Sequence, residues 1–510
     1  MIRSLFTVSG FTLLSRLLGF VRDVLIARYL GAGAMADVWV AAFRLPNLFR
    51  RIFGEGAFNA AFVPMYSRRI EEDGAEGADR FARRTISVMF VILMTLFVLC
   101  FIFMEPIVKL MNWGFEEGGR LDLAVPASRI TIGYLVFICL VAALTGILNS
   151  RRIFAAPAFA YVVLNIVFLV TLLFFVPGAE NPLTVLCWSV MVAGVLQLGV
   201  VALACFRRKV DLRPCVPKVD PEIKRLGSLM APGLVSAGVQ QLNLLIGQTV
   251  ASLAMGGISI IYYADRLNQL PLGLIGMAMG TVLLPEITRR LGSGDSEGAN
   301  RSLCQGMEIA LLLCLPATVA MIVVPRELMQ LFKSGEFTEE SAEIAGWVLA
   351  AFAIGTPTYV MTRVLQPAYF AREDTKTPMR FTIASAVTNI VLVYPMFRMF
   401  GPMGCALATS VAGWVNVTLL WAGLRRAGFM KLIPGFFSRI GRMLVASALM
   451  GVTVWFLAQF GKPWLIDDPR YLIRVLSLFV VVSISALAYF VFVLILRVYS
   501  LPELKGRLRR

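Results

Sequence analysis

Residues 15–64 read SRLLGFVRDVLIARYLGAGAMADVWVAAFRLPNLFRRIFGEGAFNAAFVP, a long apolar stretch interrupted by arginine and acidic residues. A bilayer-spanning helix needs about 20 mainly apolar residues, so this stretch is long enough for more than one span. A charge at mid-bilayer costs about 2.5–3.5 kcal/mol on insertion scales, and such charges usually face a bundle interior or a watery cavity. The stretch therefore predicts membrane helices that enclose a charged cavity.

The whole chain has the composition of a membrane protein. Of its 510 residues 58% are hydrophobic and 15% are charged, and the mean hydropathy is +0.78. Soluble proteins contain roughly 45–50% apolar and about 25% charged residues. Arg16 and Arg22 interrupt the first apolar run, so we expect a retained helix rather than a cleaved signal peptide. The predicted fold class is an all-α polytopic membrane protein.

Apolar segments of spanning length recur along the chain and predict fourteen transmembrane helices. They cover residues 5–29, 35–66, 83–108, 125–148, 155–176, 183–206, 226–252, 258–288, 302–324, 342–370, 380–399, 402–424, 440–460 and 473–496.

Basic residues follow the positive-inside pattern. The N-terminal tail and every second connection together carry 31 Lys and Arg residues, against 8 in the intervening connections. This asymmetry predicts that both termini lie in the cytoplasm. Because the membrane topology accounts for the net charge of +17, we expect no nucleic-acid partner.

The cationic residues within the predicted spans are all arginine, and they outnumber the acidic ones. They include Arg16, Arg22, Arg28, Arg44, Arg50, Arg51, Arg129, Arg266 and Arg363. The acids include Asp23, Asp37, Glu55, Asp265, Glu286 and Glu308. A guanidinium binds phosphate or carboxylate through two hydrogen bonds, which a lysine cannot do. The excess of arginine predicts an anion-binding cavity.

The second predicted span, residues 35–66, shows this charge most clearly. At about 100° per residue, Asp37, Arg44, Arg51 and Glu55 fall within about 40° of one another on a helix. Pro46 lies inside the span and predicts a bend. A structural alternative remains open, because Arg51 and Glu55 could form a helix-face pair and Arg50 could extend to the membrane interface.

Two sets of residues repeat at an offset of 221–224 positions. Arg44–Leu45, Val63–Pro64 and Arg68–Arg69 recur as Arg266–Leu267, Leu284–Pro285 and Arg289–Arg290. Pro157 and Asn165–Ile166–Val167 recur as Pro378 and Asn389–Ile390–Val391. The repeat predicts two six-helix lobes in the same orientation, with a site between them. The predicted domains are an N-lobe at 1–206, a C-lobe at 220–424, an appended helix pair at 440–496 and a basic cytoplasmic tail at 497–510.

The sequence lacks the residues that several kinds of chemistry require. The chain has no histidine, its eight cysteines form no C-x-x-C pair, and no P-loop motif occurs. We expect no metal, no cofactor and no enzymatic activity. A multidrug or cation antiporter would favour acidic and aromatic residues in its cavity, and a membrane transferase would need a base or a carboxylate cluster.

Three motifs resemble the MurJ (MviN) lipid II flippase family of the multidrug/oligosaccharidyl-lipid/polysaccharide exporter superfamily. They are the opening stretch, YYADRLNQLPLG at Tyr262–Gly273 and FAREDTKTP at Phe370–Pro378. The resemblance implies a flippase of the bacterial inner membrane. Its substrate would be lipid II, the undecaprenyl-diphosphate-linked disaccharide-pentapeptide, carried to the outer leaflet by alternating access. A flippase for another polyprenyl-diphosphate-linked oligosaccharide remains the nearest alternative.

The resemblance also implies roles for individual residues, together with a groove on the appended helices for the lipid tail. The expected headgroup-binding residues, with Arg44 added from the repeat, are Arg16, Arg22, Arg44, Arg50 and Arg266. The expected charge partners or gating residues are Asp23, Asp37, Arg51, Glu55 and Asp265. Expected partners are lipid II, the bilayer and other cell-wall synthesis proteins.

Overall fold

The computed structural model describes residues 2–51, 58–116 and 118–498, and within them the regular structure is entirely helical. The chain divides into two compact units, Met1–Ser259 and Ile260–Arg510. Glu55 and residues 499–510 of the predicted basic tail lie outside the described residues.

The first unit contains nine helices within its described residues. They are α1 (Ile2–Leu30), α2 (Ala34–Phe49), α3 (Phe58–Ile102), α4 (Met104–Met111), α5 (Arg120–Thr131), α6 (Tyr134–Ser150), α7 (Ala155–Val170), α8 (Pro182–Arg207) and α9 (Pro221–Ala251). α1 packs on α7, α3 on α6, α7 on α8 and α2 on α5. A π-helical turn at Thr171–Phe175 extends α7.

The second unit contains the helices that follow, of which α10 begins at the end of the first unit. They are α10 (Gly257–Gly292), α11 (Ser296–Val323), α12 (Pro325–Met329), α13 (Glu339–Phe370), α14 (Lys376–Phe400), α15 (Pro402–Arg426), α16 (Phe436–Leu465) and α17 (Tyr471–Ile495). α13 is central, since it packs against both α11 and α15. Met307, Val360 and Leu420 from these three helices are fully buried in one core cluster.

Helix starts coincide with capping residues in the sequence. The Asn181 side chain accepts from Thr184 N at 3.2 Å ahead of Pro182, and Asp220 accepts from Ile223 N at 2.9 Å ahead of Pro221. A polar N-cap followed by proline satisfies an orphan backbone donor and pre-sets the first helical residue. α8 and α9 therefore begin close to where the apolar runs predicted them.

α3 differs most from the prediction, because it joins three predicted pieces. It runs from the end of one predicted span, through the charged connection, to Ile102 in the next span. Gly74 bends it, with φ 70° and ψ −172°. A positive φ is costly for residues with a side chain, so glycine suits this bend.

Two predicted spans are divided in the structure. Span 83–108 breaks at Phe103, between α3 and α4, and span 125–148 breaks at Ile132–Gly133, between α5 and α6. Hydropathy alone cannot detect such breaks, since the side chains on both sides are apolar.

Ten of the described helical segments are long and apolar enough to cross a membrane. They match predicted spans three to six and nine to fourteen. α1, α2, α9 and α10, at predicted spans one, two, seven and eight, are not among these ten, so the count of fourteen is not confirmed. α2 ends after 16 residues, and α1, α9 and α10 each include side chains outside the described ones.

Candidate functional site

Arg22 and Asp23 on α1 form a buried charged pair. Arg22 Nε and Nη2 donate to Asp23 Oδ1 at 3.0 and 2.8 Å, and Arg22 Nη1 donates to Asn165 Oδ1 on α7 at 3.0 Å. Asn165 Nδ2 in turn donates to Ser15 O at 2.9 Å. The contacts hold Arg22 at the seam between α1 and α7.

Asp37 on α2 is fully buried in a polar junction within the first unit. Its carboxylate accepts from Gly256 N, Ser259 N and Ser259 Oγ, each at 2.8 Å, and from Arg120 Nη1 at 3.1 Å. The junction ties α2 and α5 to the turn between α9 and α10.

Arg120, at the start of α5, was missed by sequence reasoning. It is 3% exposed, and its Nη2 donates to Gly114 O at 2.6 Å and to Ser252 O at 2.9 Å. The sequence placed it in a connection ahead of the span at 125–148, where a cation needs no special explanation. Its partner Asp37 is 83 positions away, and no local spacing links the two.

Arg44 on α2 contacts the end of α9. Its Nη1 donates to Gln248 Oε1, and Gln248 Nε2 donates to Asn112 Oδ1 at 2.8 Å. Arg44 is half-buried, whereas the two amides are buried. The sequence did not predict this contact either, because Gln248 lies in none of the motifs.

The remaining arginines of the opening stretch are more accessible. Arg16 on α1 is exposed, and Arg50 is half-buried with its Nε 3.1 Å from Asn47 Oδ1. A π-helical turn at Arg50 and Arg51 follows α2, and Arg51 is exposed. Along the predicted charged face, exposure therefore rises from the enclosed Asp37 through the half-buried Arg44 to the exposed Arg51.

Asp265 and Arg266 lie on α10 in the second unit, where both are half-buried. The Arg266 guanidinium stands over the Tyr262 ring, 4.5 Å from its centroid. Asp265 accepts a hydrogen bond from Gln269 Nε2, one turn along the same helix. A cation over an aromatic face is stabilised by the electrons of the ring.

The second unit also contains an apolar pocket of about 280 Å³ between α11, α16 and α17. Pro316, Val454 and Tyr489 lie in its wall, and among the described lining residues Glu327 is the only acidic one. The Tyr489 hydroxyl donates to Leu312 O at 2.8 Å, so the ring presents its apolar faces. The pocket suits a hydrocarbon chain. Among the described residues, no three acidic or cysteine side chains gather into a metal-binding group.

The many apolar helices define a polytopic membrane protein. The family model for "Lipid II flippase MurJ" matches residues 26–468. The chain belongs to the MurJ lipid II flippase family, within the exporter superfamily that also contains the MATE transporters. It is a multi-pass inner-membrane transporter and not an enzyme, which confirms the expected class and location.

Curated relatives resemble the chain over nearly its full length. A probable lipid II flippase MurJ of Rhizobium tropici is 38% identical, covering 100% of this chain and 97% of the relative. The lipid II flippase MurJ of Burkholderia cenocepacia is 34% identical, covering 88% of this chain and 89% of the relative.

Solved structures share the fold. A lipid II flippase MurJ in an inward closed conformation has a TM-score of 0.78 at 24% identity, covering 96% of this chain and 98% of that one. A multidrug resistance MATE family transporter in an inward-facing conformation has a TM-score of 0.69 at 16% identity, covering 81% and 95%. At these identities the likeness concerns the fold alone.

Proposed function

We propose that this lipid II flippase moves its substrate from the inner to the outer leaflet by alternating access. Arg16, Arg22, Arg44, Arg50 and Arg266 bind the diphosphate and the peptide carboxylates. The observation that carries the proposal is the presence of arginine inside the apolar sequences of α1, α2 and α10. Helices that line a watery cavity need not be apolar on every side.

The proposed architecture has fourteen spans in two six-helix lobes, an appended helix pair and cytoplasmic termini. The repeated arginine supports it. α1 and α2 open the proposed N-lobe, and α9 and α10 open the proposed C-lobe. Arg44 on α2 and Arg266 on α10 thus stand at equivalent places in the two copies, as expected of a parallel repeat.

The junction around Asp37 is the proposed outer gate. In this topology Asp37 lies at the outer end of the second span, and its bonds to Gly256 and Ser259 close that side within the first unit. Asp23, Arg51, Glu55 and Asp265 complete the set of gating and charge-partner residues. Separating a buried ion pair leaves an uncompensated charge and costs free energy, so this pair opposes opening of the gate.

The apolar pocket between α11, α16 and α17 is the proposed site for part of the prenyl chain. A long tail cannot enter a cationic cavity without losing its hydrophobic environment, since each CH₂ moved into water costs about 0.8 kcal/mol. A groove on the appended helices keeps the tail in an apolar medium while the headgroup crosses.

Substitution of the arginines tests the proposal in a bacterium depleted of its own flippase. We expect Arg22→Ala and Arg266→Ala to abolish rescue of growth while membrane levels of the protein stay normal. Arg22→Lys should retain part of the function, because lysine keeps the charge and loses the two-pronged geometry. Arg301→Ala, at an exposed helix-face pair with Glu297, is the matched control and should rescue fully. Full rescue by both alanine variants of the cavity arginines would overturn the headgroup assignment.

A further inference from the structure

We infer that Gln248 and Asn112 are positioning residues that hold the Arg44 guanidinium ready for the substrate's anionic headgroup. The inference rests on the proposed function, since it concerns how one of the headgroup-binding arginines is oriented. It adds two side chains, on α9 and at the end of α4, which no sequence motif had marked.

Three hydrogen bonds link the Arg44 guanidinium to a backbone carbonyl, and in each of them the side chain nearer to Arg44 is the donor. Asn112 Nδ2 donates to Val108 O at 3.2 Å, and this oxygen can only accept. The amide of Asn112 is thereby oriented, and its Oδ1 accepts from Gln248 Nε2 at 2.8 Å. Gln248 Oε1 must then face outward, where it accepts from Arg44 Nη1.

The framework around these amides is rigid. Gln248 is 4% exposed and Asn112 is 2% exposed, so neither amide can exchange its partners for bulk water. Thr249 Oγ1 donates to Met111 O at 2.8 Å, and Gly114 N donates to Ser252 Oγ at 3.0 Å. These bonds fasten the end of α9 to the turn after α4, on both sides of the Gln248–Asn112 contact.

A glutamine at this position orients the guanidinium without adding a negative charge. A carboxylate at position 248 would form an ion pair with Arg44 and compete with the phosphate for the same donors. The amide of Gln248 orients the guanidinium and itself brings no such charge.

Binding of lipid II with a shortened prenyl chain to the purified full-length protein tests this inference. We expect Gln248→Leu and Asn112→Leu to weaken binding about tenfold, the size of one lost hydrogen bond to a charged group. Gln248→Glu should weaken it further, because the new carboxylate occupies Arg44. A role in packing alone predicts the reverse order, since glutamate is nearly isosteric with glutamine and still hydrogen-bonds. Finding Gln248→Glu closer to wild type than Gln248→Leu would overturn the inference.

Gln197→Leu is the matched control. Gln197 is fully buried on α8, where it accepts from the Tyr134 hydroxyl at 2.9 Å and donates to Ala160 O at 2.9 Å. Its loss should lower thermal stability and leave the affinity unchanged. If Gln248→Leu fails to fold, Gln248→Met and Asn112→Leu make the same comparison with less change in shape.

Arg44→Ala separates failure of the inference from failure of the proposed function. Weak binding by Arg44→Ala with wild-type binding by both leucine variants would overturn the positioning role alone. Wild-type binding by Arg44→Ala would show that Arg44 does not bind the headgroup. That result would overturn both its place in the proposed site and the inference. We expect Arg44→Ala combined with Gln248→Leu to bind no more weakly than Arg44→Ala, because the glutamine acts through the arginine.

Discussion

Individual arginines in the first unit are held by three different kinds of partner. Arg22 pairs with the adjacent Asp23, Arg120 pairs with the distant Asp37, and Arg44 is oriented by an amide. Arg120 also donates to the carbonyls of Gly114 and Ser252 and is 3% exposed, so we assign it a structural role. Arg22 and Arg44 stay the proposed headgroup-binding residues.

The Asp37–Arg120 pair gives a prediction for stability. Breaking a buried pair from one side costs about 3–5 kcal/mol, because it leaves an uncompensated charge. We expect Asp37→Ala and Arg120→Ala each to lower the free energy of unfolding by about this amount, and the double variant to lose much less than the sum. Thermal unfolding of the purified protein in detergent measures both.

The exposed pair Arg68–Glu72 on α3 is the control for this cycle. Its side chains are 66% and 45% exposed, and such pairs contribute only about 0–1 kcal/mol. Equal losses at the exposed and the buried pair, or full additivity at the buried one, would contradict the assignment of a desolvated junction.

The elements of the first unit are fastened together by the linker between α8 and α9. Arg83 Nη1 lies 2.6 Å from Asp211 Oδ2, and Arg84 Nη1 lies 2.9 Å from Asp220 Oδ2. Asp79 on α3 also accepts from Asp211 N at 3.1 Å. The linker is thus docked along α3, and α9 packs on α3 as well. This packing explains why the compact unit ends at Ser259 rather than near residue 206.

A disulfide tests this docking. Ser87 Oγ on α3 lies 3.3 Å from Cys215 Sγ in the linker, so Ser87→Cys should bring two sulfurs within bonding reach. We expect near-complete crosslinking in membranes under mild oxidation. After proteolytic cleavage between the two positions, the two fragments should stay together on a non-reducing gel and separate after reduction. Ser87→Cys combined with Cys215→Ser should give none. Absence of the crosslink while both thiols react with a maleimide would show that the linker is undocked.

Once the rate is corrected for the pH dependence of thiolate formation, the crosslink should form equally well at neutral and mildly acidic pH. The pKa of Asp211 is lowered first by the Arg213 backbone N–H and then by the Arg83 side chain. A lowered pKa means that the ionised carboxylate favours the docked state at neutral pH. That contribution is lost only as the pH falls through the lowered pKa, below the ordinary range of an aspartate.

At the scale of the whole molecule, the sequence predicted the membrane class, the helical segments and the family. These depend on patterns local in the chain, namely apolar run length, caps and motifs. The sequence did not predict the Asp37–Arg120 junction, the Gln248–Asn112 contact or the docked linker. Each joins residues more than 80 positions apart, and tertiary packing selects such partners. Nor could hydropathy separate α5 from α6, because the break at Ile132–Gly133 changes the backbone and not the polarity.

The central claim is that arginines on the charged helices carry the diphosphate headgroup across the bilayer. The most direct test measures which leaflet holds labelled lipid II in cells depleted of this protein and then supplied with wild type or Arg22→Ala at equal membrane levels. We predict that lipid II stays in the inner leaflet after depletion, reaches the outer leaflet with wild type and remains inside with Arg22→Ala. Lipid II in the outer leaflet to the same extent in all three cases would contradict the account.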